Sequence, residues 1–410
     1  MPPTPPPDPR QPRERPGDDE TAAARPELEP RAPTGIVGLD EVLGGGLPRH
    51  STYLVKGRPG SGKTTLGMQF VLAGVAAGER TLFLSTLESE DDLHLLAASH
   101  GWELDRVALR FQSLDDLQED LGGDSGFHPA EVELPRLIET LLAVVDEVQP
   151  DRLVIDSLTE LRLLALDPRW YRRQVLALKR FFADRRCTVL LIDEPETTDH
   201  SLESLVRGVV ELAQDTPVFG PSRRRLQVNK LRGIRFASGS HDLRICTGGL
   251  AVYPRLVAAE HRREHAPRAM ISTGLERLDA MSGGGLDAGT STLLFRPSGA
   301  GKSLLASQFA TAAARQGHPA AMYVFDERLQ TLRDRCEGVG LPLAAELEAG
   351  RLSVEQVDPA EMTPGEFSHG VRDACVRRGV ELVVIDSLNG YAHAMPDERL
   401  LAIHLHELLS

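Results

Sequence analysis

Gly57-Arg58-Pro59-Gly60-Ser61-Gly62-Lys63-Thr64 fits the pattern G-x-x-x-x-G-K-[ST] in full. Glycines at this spacing let successive backbone N–H groups curl around anionic oxygens. The lysine reaches the β- and γ-phosphates, and the threonine hydroxyl holds Mg²⁺. The apolar run Tyr53-Leu54-Val55 precedes the loop, and Thr64 to Ala77 reads as a helix that points its positive end at the phosphates. That strand–loop–helix context predicts an α/β fold, with Gly57, Gly60, Ser61, Gly62, Lys63, Thr64 and Thr65 lining a nucleotide site.

The pattern occurs twice. Arg296-Pro297-Ser298-Gly299-Ala300-Gly301-Lys302-Ser303 matches except at its first position, where Arg296 replaces glycine. Thr34-Gly35 through Asp40 and the run Gly44–Gly46 precede the first loop; Thr273-Gly274 through Asp279 and Gly283–Gly285 precede the second. Each matching position recurs 239 residues later, as Lys63 does at Lys302. An ungapped match of this length marks duplication of a whole domain.

The 410 residues suit two domains better than one. Residues 1–33 contain 11 prolines among charged residues and read as a disordered tail, with a Pro-rich docking peptide as the alternative. Residues 34–258 form the first domain, 259–270 a linker, and 271–410 a second domain that stops about 75 residues before the first one would. Apolar runs at 81–85, 153–155 and 188–192 alternate with helical patterns, as in a buried, mainly parallel sheet flanked by helices. From Leu226 to Tyr253 the pattern alternates and carries turn residues, predicting antiparallel edge strands.

The net charge of −14 repels nucleic acid and anionic lipid surfaces, so a nucleic-acid partner is not expected. No run of about 18 apolar residues predicts a membrane helix. The N-terminus lacks a charged-then-apolar leader, and four scattered cysteines without a C-x-x-C suit free thiols in a reducing cytoplasm.

Two acids complete the first site. Asp156 ends the strand Leu153-Val154-Ile155 and is placed to hold the metal's water shell; Asp386 repeats it after Leu382–Ile385. Glu88 follows the strand at 81–85 and is the candidate to polarise the attacking water, on a strand expected beside the loop strand. The competing reading makes Glu88, Glu90, Asp91 and Asp92 a solvated helix start. Glu327, 239 residues on, sits beside Asp326. Ser303 matches Thr64 as a Mg²⁺ ligand. Lys230 and Arg232, two apart on a strand, face the same way; they could stabilise transition-state charge on a neighbour's γ-phosphate or form a surface strand that binds nothing.

In this combination the chain resembles the KaiC-type ATPases of the RecA superfamily. The likeness rests on the Thr34–Asp40 and Gly44–Gly46 motifs, the loop, His100-Gly101-Trp102 and Ile155-Asp156-Ser157-Leu158. It continues through Lys230-Leu231-Arg232-Gly233 and Gly248-Gly249-Leu250, ahead of Pro254-Arg255-Leu256. It covers about 34–255 and 273–410. It implies tandem RecA-like domains, a homo-hexameric ring, and ATP with Mg²⁺ between subunits. Lys63 and Thr64 would bind phosphate and metal, Asp156 would be the Walker-B acid, and Lys230 and Arg232 would act in trans. A regulatory protein partner would be expected too. Clock members of that family carry two adjacent glutamates where this chain has Leu87-Glu88. They also autophosphorylate in a part of the second domain that would lie past Ser410. The expected function is therefore a ring-forming regulatory ATPase. An ATP-dependent assembly module, an autokinase and a recombinase-like ATPase are the alternatives.

Overall fold

The computed structural model describes residues 29–86, 88–104, 109–113, 130–163, 165, 167–195, 201–216, 220–258, 269–297, 299–395 and 398–410. Residues 1–28 of the expected tail, most of the expected linker, Leu87 and Ser298 lie outside these.

The first unit is built on nine strands: β1 (Thr52–Gly57), β2 (Thr81–Ser85), β3 (Leu109–Ser113), β4 (Arg152–Asp156), β5 (Thr188–Asp193), β6 (Gly208–Asp215), β7 (Arg223–Leu231), β8 (Ser240–Cys246) and β9 (Gly249–Tyr253). Their order is β9-β8-β7-β6-β1-β5-β4-β2-β3. The pairs from β6 through β1 to β3 are parallel, and β6 to β9 pair antiparallel. Both faces of the parallel part are covered. Val55, Phe83, Val154 and Ile192 pack toward helix Lys63–Ala76, while Leu54, Leu82, Leu153 and Leu191 pack toward helices Ala130–Val148 and Pro168–Asp184. Successive side chains alternate between two apolar layers, so these strands read as continuous hydrophobic runs.

Ordered structure begins earlier than Thr34. Arg31–Ala32 pairs antiparallel with Leu47–Pro48, Ala32 is fully buried, and the Pro33 carbonyl accepts from the buried Arg152. The Thr34–Asp40 motif proves to be a local brace. Thr34 N and Oγ1 donate to Asp40 Oδ1 at 2.7 and 2.8 Å, and Thr273 repeats this with Asp279 at 2.9 and 2.6 Å.

The second unit is smaller: β10 (Ala320–Val324), β11 (Leu352–Gln356) and β12 (Leu382–Asp386), in the order β11-β10-β12, all parallel. The strand expected before its loop does not form. Residues 291–297 are irregular, and Leu293 is 69% exposed where its counterpart Leu54 is 3% exposed. The reason is pairing. In the first unit β1 is held between β5 and β6, whereas among the described residues of the second unit no strand pairs with 291–297. A strand without a partner leaves its N–H and C=O groups to water.

The same difference bears on two glycines of the first copy whose counterparts in the second are arginine. A Cβ on Gly57 would lie 2.6 Å from the Leu212 carbonyl on β6 and 2.5 Å from Ser61 Oγ, and one on Gly38 would lie 1.7 Å from the Val252 carbonyl on β9. In the first unit β6 and β9 demand these glycines; among the described residues of the second unit no equivalent strand lies against Arg296 or Arg277. Gly57→Ala should therefore cost about 1–3 kcal/mol by overpacking, lowering the thermal midpoint. Arg296→Gly should leave the midpoint nearly unchanged. Equal shifts for the two variants in a thermal unfolding scan would refute this account.

The units touch along β8 and β9. Gly365 N donates to Asp242 Oδ2 at 2.7 Å, His369 Nε2 bonds the Pro254 carbonyl at 2.7 Å, and Arg244 pairs with Glu366.

Candidate nucleotide-binding and catalytic site

The first loop joins the end of β1 to helix Lys63–Ala76. Gly60 and Gly62 hold φ values of 78° and 102°, which turn the intervening N–H groups inward as a nest. Lys63 Nζ lies across the loop, donating to the carbonyls of Gly57 at 2.6 Å and Arg58 at 3.1 Å. Ser61 is fully buried, and its hydroxyl has no hydrogen-bond partner among the described residues. An unpaired buried hydroxyl is costly, and a phosphate oxygen in the nest would satisfy it. The loop thus fits a triphosphate on its own geometry.

The metal side fits as well. The Thr64 hydroxyl lies close enough to the Asp156 carboxyl, which closes β4, to act on its ionisation. These are hard oxygen donors of the kind Mg²⁺ takes together with substrate phosphates. Burial pushes the Asp156 carboxyl above its usual range, against the pull of Thr64 and Lys63. Burial likewise lowers the Lys63 ammonium, opposed by Glu194, Asp156 and Asp193.

Glu88 is separate from the acidic run after it. Ser89 caps helix Glu90–Ser99 in a reciprocal box with Asp92, so the other three acids form the helix start. Glu88 stands before that cap, with its N–H bonded to Ser85 Oγ at 2.8 Å. It is half-buried, and among the described residues no hydrogen bond or ion pair engages its carboxylate. Burial first, then the charges of Asp156 and Asp92, push its carboxyl above the ordinary glutamate range. The expectation about its strand needs correction. β2 does not neighbour β1, because β5 and β4 lie between them. Glu88 instead reaches the site through β4, where Ser85 pairs with Asp156 and Thr86 Oγ1 accepts from Ser157 N at 2.8 Å.

The intervening strand β5 brings groups that the sequence reading passed over. Its last residue, Asp193, is buried and paired with Lys56 of β1 in register; it accepts two hydrogen bonds from Arg162 at 3.1 and 2.9 Å and one from Thr159. Glu194 follows, flanking the start of the loop. The available signal was an apolar run ending in acid, as at Asp156.

Lys230 and Arg232 do face one way. Lys230 Nζ donates to the carbonyls of Glu203 and Val206, and Arg232 to that of Ser204 at 3.2 Å. Burial and neighbouring Arg232 lower the Lys230 ammonium. Neither reaches the loop of its own unit. Lys230 pairs with Val209 while Gly57 pairs with Leu212, three residues further along β6, roughly 10 Å at strand spacing. The basic residue that does touch the loop is Arg224, whose Nε donates to the Gly60 carbonyl at 3.1 Å.

The described residues of the second loop repeat the glycine conformations and the lysine contacts of the first. Gly299 and Gly301 hold φ values of 78° and 82°, and Lys302 Nζ donates to the carbonyls of Arg296 and Pro297 at 3.0 and 3.1 Å. Ala300 stands where the first loop has Ser61, and Ser303 opens the helix as Thr64 does. Asp386 closes β12, and Asp326 Oδ2 accepts from Ser387 Oγ at 2.8 Å. The other signature pieces are packing devices: His100 bonds the Cys246 carbonyl, its ring lies 4.9 Å from that of Trp102, and Gly249 closes on Trp102 and Gln69.

A protein-family model described as "ATPase: KaiC" matches residues 32–257 and again 271–409. Among curated proteins, the circadian clock oscillator protein KaiC of Acaryochloris marina is 26% identical over 376 residues, which cover 88% of this chain and 70% of that protein. The circadian clock protein KaiC2 of Synechocystis sp. is 29% identical over 336 residues, 80% of this chain and 58% of the relative. Two loops of one geometry, two strand-end acids and two matched segments agree: the chain belongs to the KaiC family of ATPases.

Proposed function

We propose that the first unit binds ATP with Mg²⁺ and hydrolyses it, as part of a homo-hexameric ring with nucleotide between neighbouring copies. The observation that carries this reading is Glu88: a half-buried, unengaged carboxylate with a raised pKa, set beside Asp156. That is what a water-activating base requires. Bound Mg²⁺ would neutralise charge on the β- and γ-phosphate oxygens, held by Thr64 and, through its water shell, by Asp156. The loop N–H groups and Lys63 orient the triphosphate. Glu88 takes a proton from water as its oxygen attacks the γ-phosphorus and the bond to the ADP oxygen breaks. Lys230 and Arg232, too far from their own loop, would serve the site of the adjacent copy. Among the described residues no helix is long and apolar enough to cross a membrane. The relatives named for the circadian clock support a regulatory role with a protein partner.

The direct test is phosphate release under steady state, with particle mass measured with and without ATP. Release without stable radiolabel on the protein separates hydrolysis from autokinase activity. Salt-sensitive single-strand binding would favour the recombinase-like reading. ATP-driven assembly without release would favour a pure binding module.

The raised carboxyl gives a pH test. Glu88 acts only when ionised, so kcat should fall on acidification at a pH above the ordinary glutamate range. The sign for stability is opposite. A carboxyl raised by folding favours the neutral form, so its stabilising contribution exists at low pH and is lost as pH rises through the raised value. Glu88→Gln should therefore unfold no earlier than wild type at neutral pH. A kcat that stays flat down to the ordinary glutamate range would contradict the assignment.

A further inference from the structure

The two copies treat their equivalent glutamates differently. Glu88 is unengaged, as described above. Glu327, its counterpart, accepts a hydrogen bond from Arg335 Nη1 at 2.8 Å in an ion pair. Arg335 projects from helix Leu329–Gly338, eight residues after Glu327. The first unit carries Leu96 at the matching position, partly buried against the core. Arg335 thus occupies a seat that is apolar in the other copy. Its Nε and Nη2 are buried without a hydrogen-bond partner among the described residues, so the Glu327 carboxylate is the acceptor its guanidinium finds there. With Arg335 35% and Glu327 20% exposed, the pair is partly buried and less screened than one on the open surface. The remaining acid, Asp326, is engaged by Ser387.

We infer that Arg335 is a positioning residue that withholds Glu327 from water, so that the second unit binds Mg·ATP without turning it over. The inference rests on reading Gly299–Ser303 as a nucleotide site. A carboxylate engaged by a guanidinium is not placed to accept a proton from an attacking water, whereas Gly299, Gly301 and Lys302 beside it keep the conformations and contacts of the first loop. One chain would then hold a hydrolysing site and a holding site, with the exchange of leucine for arginine at this helical position governing the acid of the second.

The test uses the full chain carrying Lys63→Ala, which silences the first loop, and reads two quantities: Mg·ATP binding by calorimetry and phosphate release. With binding intact, adding Arg335→Leu should raise release at least about 10-fold, part of the ~10²–10⁴-fold that a fully positioned general base contributes, with Kd changed less than about 2-fold. Adding Glu327→Gln as well should return release to baseline. If Arg335→Leu binds ATP but releases phosphate no faster, the inference is wrong. If the Lys63→Ala protein binds no ATP at all, the second loop is not a nucleotide site; the inference falls with that reading, and the account of the first unit stands. Arg335→Gln serves as a second variant should leucine impair folding. Without nucleotide, carbodiimide-driven labelling followed by peptide mass spectrometry should modify Glu327 more slowly than Glu88, and faster once Arg335 is replaced. Equal labelling of Glu327 before and after the replacement would also overturn it.

Discussion

Glu88→Gln is expected to lower ATP turnover by about 10²–10⁴-fold while leaving Mg·ATP affinity nearly unchanged. The range is that of a positioned general base. Binding should survive because, in the proposed site, the triphosphate and its metal are held elsewhere, by the Gly57–Thr64 loop and Asp156. Glutamine keeps the shape and the hydrogen-bonding edge but cannot take the proton. No second base stands ready on the same strand end: Glu90, Asp91 and Asp92 belong to the capped start of the next helix. Glu194, beside the loop, faces the Lys63 ammonium. Single-turnover phosphate release with a parallel binding titration would check this. A loss of less than tenfold, or a loss explained by weaker binding, would remove Glu88 from the role.

Arg232→Ala is the second large effect: turnover should fall on the order of 10³-fold, as for a charge-stabilising arginine supplied by a neighbour. Here the geometry argues by exclusion. Arg232 and Lys230 grip the carbonyls of 203–206, toward the end of β6 away from the loop. A residue so placed cannot serve the loop of its own unit, so an effect on chemistry requires a second copy. Affinity for Mg·ATP measured at dilution should be spared. Wild-type turnover in purified Arg232→Ala would leave the basic strand as a surface feature.

Much of the site was legible in the sequence because its parts depend on local pattern. The loop is written in eight consecutive residues. Asp156 is marked by the apolar run before it, and the antiparallel edge by alternation after Leu226. What escaped depends on strand order or on the absence of a partner. Glu88 was matched to a strand neighbouring β1, whereas the chain inserts β5 and β4 between them. That insertion also brings Asp193 and Glu194 near Lys63, with Arg162 bonded to Asp193, a placement that strand order decides. Arg224 is one of three consecutive arginines, Arg223 to Arg225, and the register with Gln214 on β6 sets it against Gly60. Residues 291–297 carry a strand's composition, yet a strand exists only when paired. The Arg335–Glu327 contact spans helix and strand end, and a repeat comparison alone shows leucine traded for arginine without showing which acid it meets.

The central claim is that a complete catalytic site needs two copies of the chain. Mixing Glu88→Gln with Arg232→Ala tests it most directly. Each variant alone should be nearly inactive. In mixed rings, some interfaces pair the intact Glu88 of one copy with the intact Arg232 of its neighbour, and phosphate release should rise well above either parent. A mixture no more active than the average of its parents, in particles shown by mass to contain both, would contradict the account.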